Sequence, residues 1–196
     1  MKRCSAAWTE CMKLLCFDIE TTGLDAMRDE VTMICVQDLE TGERTSYNFG
    51  RLSMEDVSAT ALVEQVVQQF DAADYLGTYN GVRFDLPFMQ QALEIHADVI
   101  TRWVLKTVDP LEFLRLSGHR TSSLDKICTH NKITSKSSTG QRAIEMAREG
   151  LWDELEHYCQ QDVDILCVLV KLRTFQHPAE DKLIDLKDCM PDGTYS

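Results

Sequence analysis

FDIETTGL (residues 17–24) is the first of three segments that set acidic side chains among core-forming ones. The other two are NGVRFDLPF (80–88) and HYCQQDVDI (157–165), and the four acids concerned are Asp18, Glu20, Asp85 and Asp162. A carboxylate is costly to bury unless it is paired or binds a cation. Four carboxylates placed next to apolar residues therefore predict a site for divalent metal.

The hydrophobic pattern around these segments predicts an α/β fold. Strands are expected at 13–20, 30–39, 43–49 and 74–79, and helices at 54–72, from near Pro87, at 109–116, from 122, and at 152–173. The second and third strands form a hairpin, and strands then alternate with helices. This order indicates a mixed sheet with helices on both faces and the first and fourth strands near its centre.

The length of 196 residues suits one domain with a full hydrophobic core. We place an N-terminal extension at 1–12, the domain at 13–175 and a C-terminal tail at 176–196. The tail is assigned because periodicity is lost after His177 and Pro178. The stretch 132–140, rich in serine and threonine, is expected to be a mobile loop.

The cysteine pattern points to a reducing compartment. Eight cysteines are present without a CxxC pair or zinc-ligand spacing, and several lie in apolar runs, where a free thiol behaves as a small hydrophobe. We expect an intracellular protein of the cytoplasm or nucleus, and the first dozen residues leave a mitochondrial address open. The apolar runs are too short for a membrane span.

Residue spacing places the candidate side chains of two segments on common faces. Strand alternation points Asp18 and Glu20 to one side, and a four-residue interval places Tyr158 and Asp162 on one helical face. Each segment alone also fits an ordinary structural role, but the three together favour a common site. Carboxylates that hold two cations about 4 Å apart form a clamp for phosphoryl transfer. Oxygen ligands without histidine or cysteine favour two Mg²⁺ or Mn²⁺ over zinc.

The three segments resemble the three exonuclease motifs of the DEDD superfamily of 3′–5′ exonucleases, which have an RNase H-like fold with a five-stranded mixed sheet. They are most similar to the proofreading domains of family B DNA polymerases and related stand-alone exonucleases. The resemblance covers residues 13–172. It implies Asp18, Glu20, Asp85 and Asp162 as metal ligands, and single-stranded nucleic acid with a free 3′ end as the substrate.

The third motif fits both subgroups of that superfamily. Tyr158 stands four residues before Asp162, as in YxxxD, and His157 stands five before it, as in HxxxxD. We favour Tyr158 as the group that orients the attacking water, because five residues back is rotated away from the Asp162 face. The five-residue interval from Asn80 to Asp85 also resembles the tyrosine subgroup.

Candidates for substrate binding follow from the motifs and from charge. By resemblance, Thr21, Leu24 and Asn80 would contact the 3′-terminal nucleotide. Phe84 and Phe88 could stack on a base, although core packing explains both, and Asp109 is expected to cap a helix. The net charge is −12, yet residues 115–142 carry six basic residues and one acid. Arg120, Lys132 and Lys136 of that stretch are candidates for contacts with phosphates, against the alternative of a solvated surface.

These features support a metal-dependent 3′–5′ exonuclease that releases nucleoside 5′-monophosphates. The motifs favour DNA slightly over RNA, although the residue that reads the 2′ position is not visible in one sequence. An alternative is a catalytically weak DEDD-like domain that binds nucleic acid or serves as a scaffold. A subunit of a replication or RNA-processing assembly, with a protein partner, is a third reading.

Overall fold

In a computed structural model that describes residues 12–52, 57–134 and 140–189, the chain is built around a five-stranded mixed sheet. The strands lie in the order β3-β2-β1-β4-β5. Strand β1 pairs antiparallel with β2 and parallel with β4, β2 pairs antiparallel with β3, and β4 pairs parallel with β5. Their bounds are Leu14–Thr21 for β1, Val31–Asp38 for β2, Arg44–Asn48 for β3, Tyr75–Gly77 for β4 and Thr107–Val108 for β5.

Seven helices occur in the described parts of the chain, and they cover both faces of the sheet. They are α1 (Val57–Asp71), α2 (Asp85–Ala92), α3 (Ala97–Val104), α4 (Pro110–Leu116), α5 (Leu124–His130), α6 (Gly140–Glu149) and α7 (Trp152–Leu172). Helices α1, α2 and α3 pack on one face, and α6 and α7 pack on the other. The predicted α/β class and the mixed five-stranded sheet flanked by helices are confirmed. Within the described residues, no helix is both long and apolar enough to cross a membrane.

Alternation along β1 divides its side chains between two cores. Phe17 packs on Phe70 of α1 with ring centroids 4.8 Å apart, and Phe70 packs on Trp103 of α3 at 4.9 Å. Cys16 belongs to the core that α7 closes on the opposite face. Because side chains two residues apart share a face, Asp18 and Glu20 point towards α7.

The region that follows α7 is packed against the rest of the protein. Strand β6 (Thr174–Gln176) pairs antiparallel with β7 (Leu183–Asp185), and a 3-10 helix follows at Leu186–Cys189. Phe175, Ile184 and Leu186 are buried in a cluster with residues of α4, α5 and α7. We assigned 176–196 to a tail; its described part, up to residue 189, is a hairpin and a helical turn. Strands of three residues bury too few side chains to produce a readable period.

Three further sequence expectations concern the helix near Pro87, the loop at 132–140 and the N-terminal extension. The helix expected near Pro87 begins at Asp85, with the proline in its first turn, where the missing N–H costs nothing. Helix α3 and strand β5 had no prediction. The expected mobile loop at 132–140 lies largely outside the described residues, since 135–139 are not described, and the same holds for residues 1–11 of the N-terminal extension.

Phe175→Ala tests whether the C-terminal hairpin is part of the folded domain. The ring is buried, so its removal should lower the free energy of unfolding by about 3–5 kcal/mol in chemical denaturation. Leu183 of the same hairpin is 61% exposed, and Leu183→Ala should stay within about 0.5 kcal/mol of wild type. Equal, small effects of both changes would mean that the hairpin is not part of the cooperative unit.

Candidate active site

The four acids predicted as metal ligands line one cavity, together with Tyr158. Its volume is about 470 Å³, and its walls also include Tyr79, Asn80, Phe84 and Asp125. Three elements supply the acids: Asp18 and Glu20 come from β1, Asp85 from the first residue of α2, and Asp162 from the middle of α7. Segments far apart in the sequence thus meet at the end of the central strand, as the motifs predict.

Asp109 holds the loop that leads to Asp85. Its carboxylate accepts hydrogen bonds from the amides of Asn80 at 2.9 Å and Val82 at 3.1 Å. The same carboxylate caps α4 by accepting from the amide of Leu111, which confirms the predicted cap. The contact with the loop was not predicted, because a carboxylate after a strand carries no signal for a partner 29 residues away.

The loop itself needs two unusual backbone features. Asn80 adopts a left-handed conformation with φ of 74°, which asparagine tolerates better than most residues. A Cβ atom at Gly81 would collide with the side chain of Thr78. These requirements explain the Asn-Gly pair at this point.

Burial and mutual repulsion make the acids reluctant to ionise together. Burial raises the pKa of Asp18 well above its usual range, and the charges of Glu20, Asp85 and Asp162 raise it further. Burial raises the pKa of Asp85 to about 7, although amide hydrogen bonds from its own backbone and Ile19 oppose the shift. A cation placed among these oxygens would favour the ionised forms.

Cys159 contacts the same acids and was not predicted as part of the site. Its Sγ donates to the Asp18 carbonyl oxygen at 3.5 Å and lies 3.9 Å from Asp18 Oδ2. One ligand atom each from Asp18, Glu20 and Cys159 fall within 4.8 Å of one another. Burial raises the pKa of Cys159 well above its usual value, and contact with the Cys35 thiol adds to this. Without metal the group is therefore a thiol and a hydrogen-bond donor to Asp18.

The two candidates for orienting water occupy different environments. Tyr158 is 9% exposed and lines the cavity. His157, one residue earlier on α7, is exposed, and its Nε2 lies 2.8 Å from Nε2 of Gln161. The geometry therefore places the tyrosine, and not the histidine, beside the acids.

Two of the residues predicted to contact the terminal nucleotide line the cavity. These are Asn80, whose Oδ1 accepts from Arg115 at 2.7 Å, and Phe84, whose ring lies 5.4 Å from that of Phe88. Thr21 and Leu24 do not line it. The Thr21 hydroxyl is buried and donates to the Gly23 carbonyl at 2.5 Å, while Leu24 is 77% exposed.

Two of the three basic residues predicted to contact phosphates lie outside the lining of the acidic cavity. Arg120 and Lys132 are exposed, and neither lines the acidic cavity. The backbone of Arg120 is held by the C-terminal hairpin, since its amide donates to Glu180 and its carbonyl accepts from His177. Lys136 lies outside the described residues.

Comparisons with known proteins agree with this arrangement. The family model of the RNase_H superfamily matches residues 15–174 of this sequence. A search of the curated proteins finds no match. Among solved structures, the family B DNA polymerase of the hyperthermophilic archaeon Pyrobaculum calidifontis is 20% identical with a TM-score of 0.62, covering 82% of this chain and 24% of the polymerase. The chain thus spans about a quarter of that polymerase.

Two further solved structures are similar. One, described as the apo form of a nuclease, is 16% identical with a TM-score of 0.55, covering 81% of this chain and 70% of the nuclease. The other is an Exonuclease I from Methylocaldum szegediense, 16% identical with a TM-score of 0.46, covering 70% of this chain and 41% of the exonuclease. At these identities, the first two matches show a shared fold.

The raised pKa of Asp85 predicts how metal-free stability depends on pH. The folded form binds more protons than the unfolded form between the unfolded pKa of about 3.9 and the folded pKa of about 7. Stability is therefore highest below this window and falls as the pH rises through it. In EDTA, the melting temperature should fall between about pH 4 and pH 7, and Asp85→Asn should reduce the fall and melt higher at the upper end.

The matched control for this measurement is Glu64→Gln. Glu64 is exposed on α1, so removal of its charge should leave the pH dependence of wild type unchanged. An Asp85→Asn variant that follows wild type at every pH would show that the buried carboxylate is not destabilising.

Proposed function

Because the chain belongs to the RNase H superfamily, we propose that it is a metal-dependent 3′–5′ exonuclease that degrades single strands to nucleoside 5′-monophosphates. The observation that carries the proposal is the convergence of four carboxylates and Tyr158 on one cavity. The superfamily match and the shared fold support nuclease activity in general. The direction of cleavage and the preference for DNA over RNA rest on the motifs.

The donor set fits Mg²⁺ or Mn²⁺. Asp18, Glu20, Asp85 and Asp162 would hold two such ions through carboxylate oxygens, the ligands that both ions prefer. The described lining of the cavity contains no histidine and no cysteine, the ligands that zinc prefers. When bound, the ions supply electrostatic stabilisation of the phosphoryl group and lower the pKa of water.

The chain's own side chains would position the reactants. Tyr158 lines the cavity together with the acids, where its hydroxyl would hold the attacking water by a hydrogen bond. Asn80 and Phe84 line the same cavity and would contact the sugar and base of the terminal nucleotide. Arg115 fixes the orientation of the Asn80 amide, since it donates to Oδ1 while pairing with Glu112.

The direct test is degradation of labelled single strands. We expect end-labelled DNA to be shortened from its 3′ end in Mg²⁺ or Mn²⁺, with release of nucleoside 5′-monophosphates and no reaction in EDTA. Asp18→Asn should lower the rate to a few per cent of wild type or less, about 2 kcal/mol of lost transition-state stabilisation or more. An RNA strand in parallel measures the preference. Three outcomes would contradict the proposal: release of 3′-monophosphates, full activity of the wild type in EDTA, or full activity of the Asp18→Asn variant.

Tyr158→Phe tests the water-orienting role. The change keeps the ring in place and removes the hydroxyl, so turnover should fall by about 10- to 1000-fold with little change in substrate affinity. His157→Ala, at the adjacent exposed position, is the control and should stay within a few-fold of wild type. Single-turnover rates and the binding constant separate the two effects. If His157→Ala were the more damaging change, the histidine would be the orienting group.

A further inference from the structure

A second groove adjoins the acidic cavity along α5. Its volume is about 530 Å³, and residues of α5, of the segment before it and of the C-terminal hairpin line it. Asp125 lines both spaces, so the first turn of α5 is their common wall. The Tyr79 hydroxyl, in the cavity wall, donates to the Ser122 carbonyl in the groove wall at 2.5 Å. The two spaces are therefore neighbours with a fixed relative position.

The groove carries the groups that a nucleic acid backbone requires. Lys126 and His130 lie four residues apart on one face of α5, and both are exposed. Among the described residues, no acidic side chain forms an ion pair with Lys126. The hydroxyl side chains of Thr121 and Thr129 also line the groove. Cations and hydroxyl groups along a surface are the usual contacts of phosphate oxygens.

The acidic groups near the groove are Asp125 and Glu180. Asp125 is the one acid among its described lining residues, and it lies at the boundary with the cavity. Glu180, beside Ala179 on the opposite wall, accepts from His119 Nδ1 at 2.8 Å and from the Arg120 amide at 2.7 Å. Its carboxylate is thus engaged with groups of the loop before α5.

We infer that this groove binds the single strand upstream of the nucleotide in the acidic cavity, with Lys126 and His130 contacting its phosphates. The inference rests on the proposed nuclease function and adds the path of the substrate. Of the six basic residues between 115 and 142, the geometry selects Lys126 over Arg120 and Lys132. The ligand is recognised by its phosphodiester backbone, so DNA and RNA strands are both tested.

The test compares strands of two lengths on matched variants. Binding of fluorescent dinucleotides and octanucleotides, oligothymidylate and oligouridylate in separate arms, is measured in Mg²⁺ on a Tyr158→Phe background, which keeps the four carboxylates and should turn over slowly. Lys126→Gln should weaken octanucleotide binding about 5-fold at low salt and reduce the slope of log affinity against log salt by about 0.7. Dinucleotide binding should not change, because a dinucleotide fits within the cavity. The double change Lys126→Gln with His130→Ala should have a larger effect on the octanucleotide only.

Lys132→Gln is the control, since it removes the same charge from an exposed position two residues beyond α5. Equal losses of octanucleotide affinity in Lys126→Gln and Lys132→Gln would show diffuse electrostatic attraction and would overturn the proposal that the groove binds the strand. An equal loss for dinucleotide and octanucleotide would also overturn it. Failure of the proposed function is separate: wild type would then release no nucleotides in Mg²⁺ or Mn²⁺. Active wild type with an unaffected Lys126→Gln variant would refute the groove alone.

Discussion

Repulsion among four carboxylates in one cavity is the unfavourable free energy that the rest of the fold must offset. Asp18 stands at the centre of this repulsion, since three neighbouring acids raise its pKa in addition to burial. The opposite face of the sheet supplies apolar burial, where Phe17 packs on Phe70 and Phe70 packs on Trp103. Strand register connects the two, because a slip of one residue in β1 would turn Phe17 towards the acids and Asp18 into the apolar core. The core and the site thus specify the same register.

The loop of the second motif, before α2, is held by a series of contacts that extends to the C-terminal hairpin. Asp109 binds the loop before α2 and caps α4, and Arg115 of α4 binds Asn80. Leu114, on the buried side of α4, packs in the cluster that contains Phe175 and Ile184. The hairpin is distant from the acids, yet it supports the helix that orients the cavity wall. This arrangement gives the last described residues a role in the geometry of the site.

Sequence reasoning succeeded where a local period fixes direction. Alternation in β1 and the four-residue interval on α7 place Asp18, Glu20, Tyr158 and Asp162 on facing surfaces, and the structure brings them into one cavity. It failed where a contact depends on a distant partner. The Cys159 contact with Asp18 joins residues 141 positions apart, and a cysteine on a helix carries no sign of it. Strand β5, only two residues long, exists because β4 supplies a partner, which no local propensity reveals.

The charge distribution couples the two spaces along α5. An acidic cavity in a chain of net charge −12 repels a phosphate backbone, so a strand in the proposed groove would meet a negative field at the cavity. Cations among the acids reverse the local field at the point where the terminal phosphate would lie. Each ligand then favours the other, and thermodynamic linkage requires the two effects to be equal in free energy. On the proposed function, metal affinity measured without a strand would therefore be a lower bound on the affinity with a strand bound.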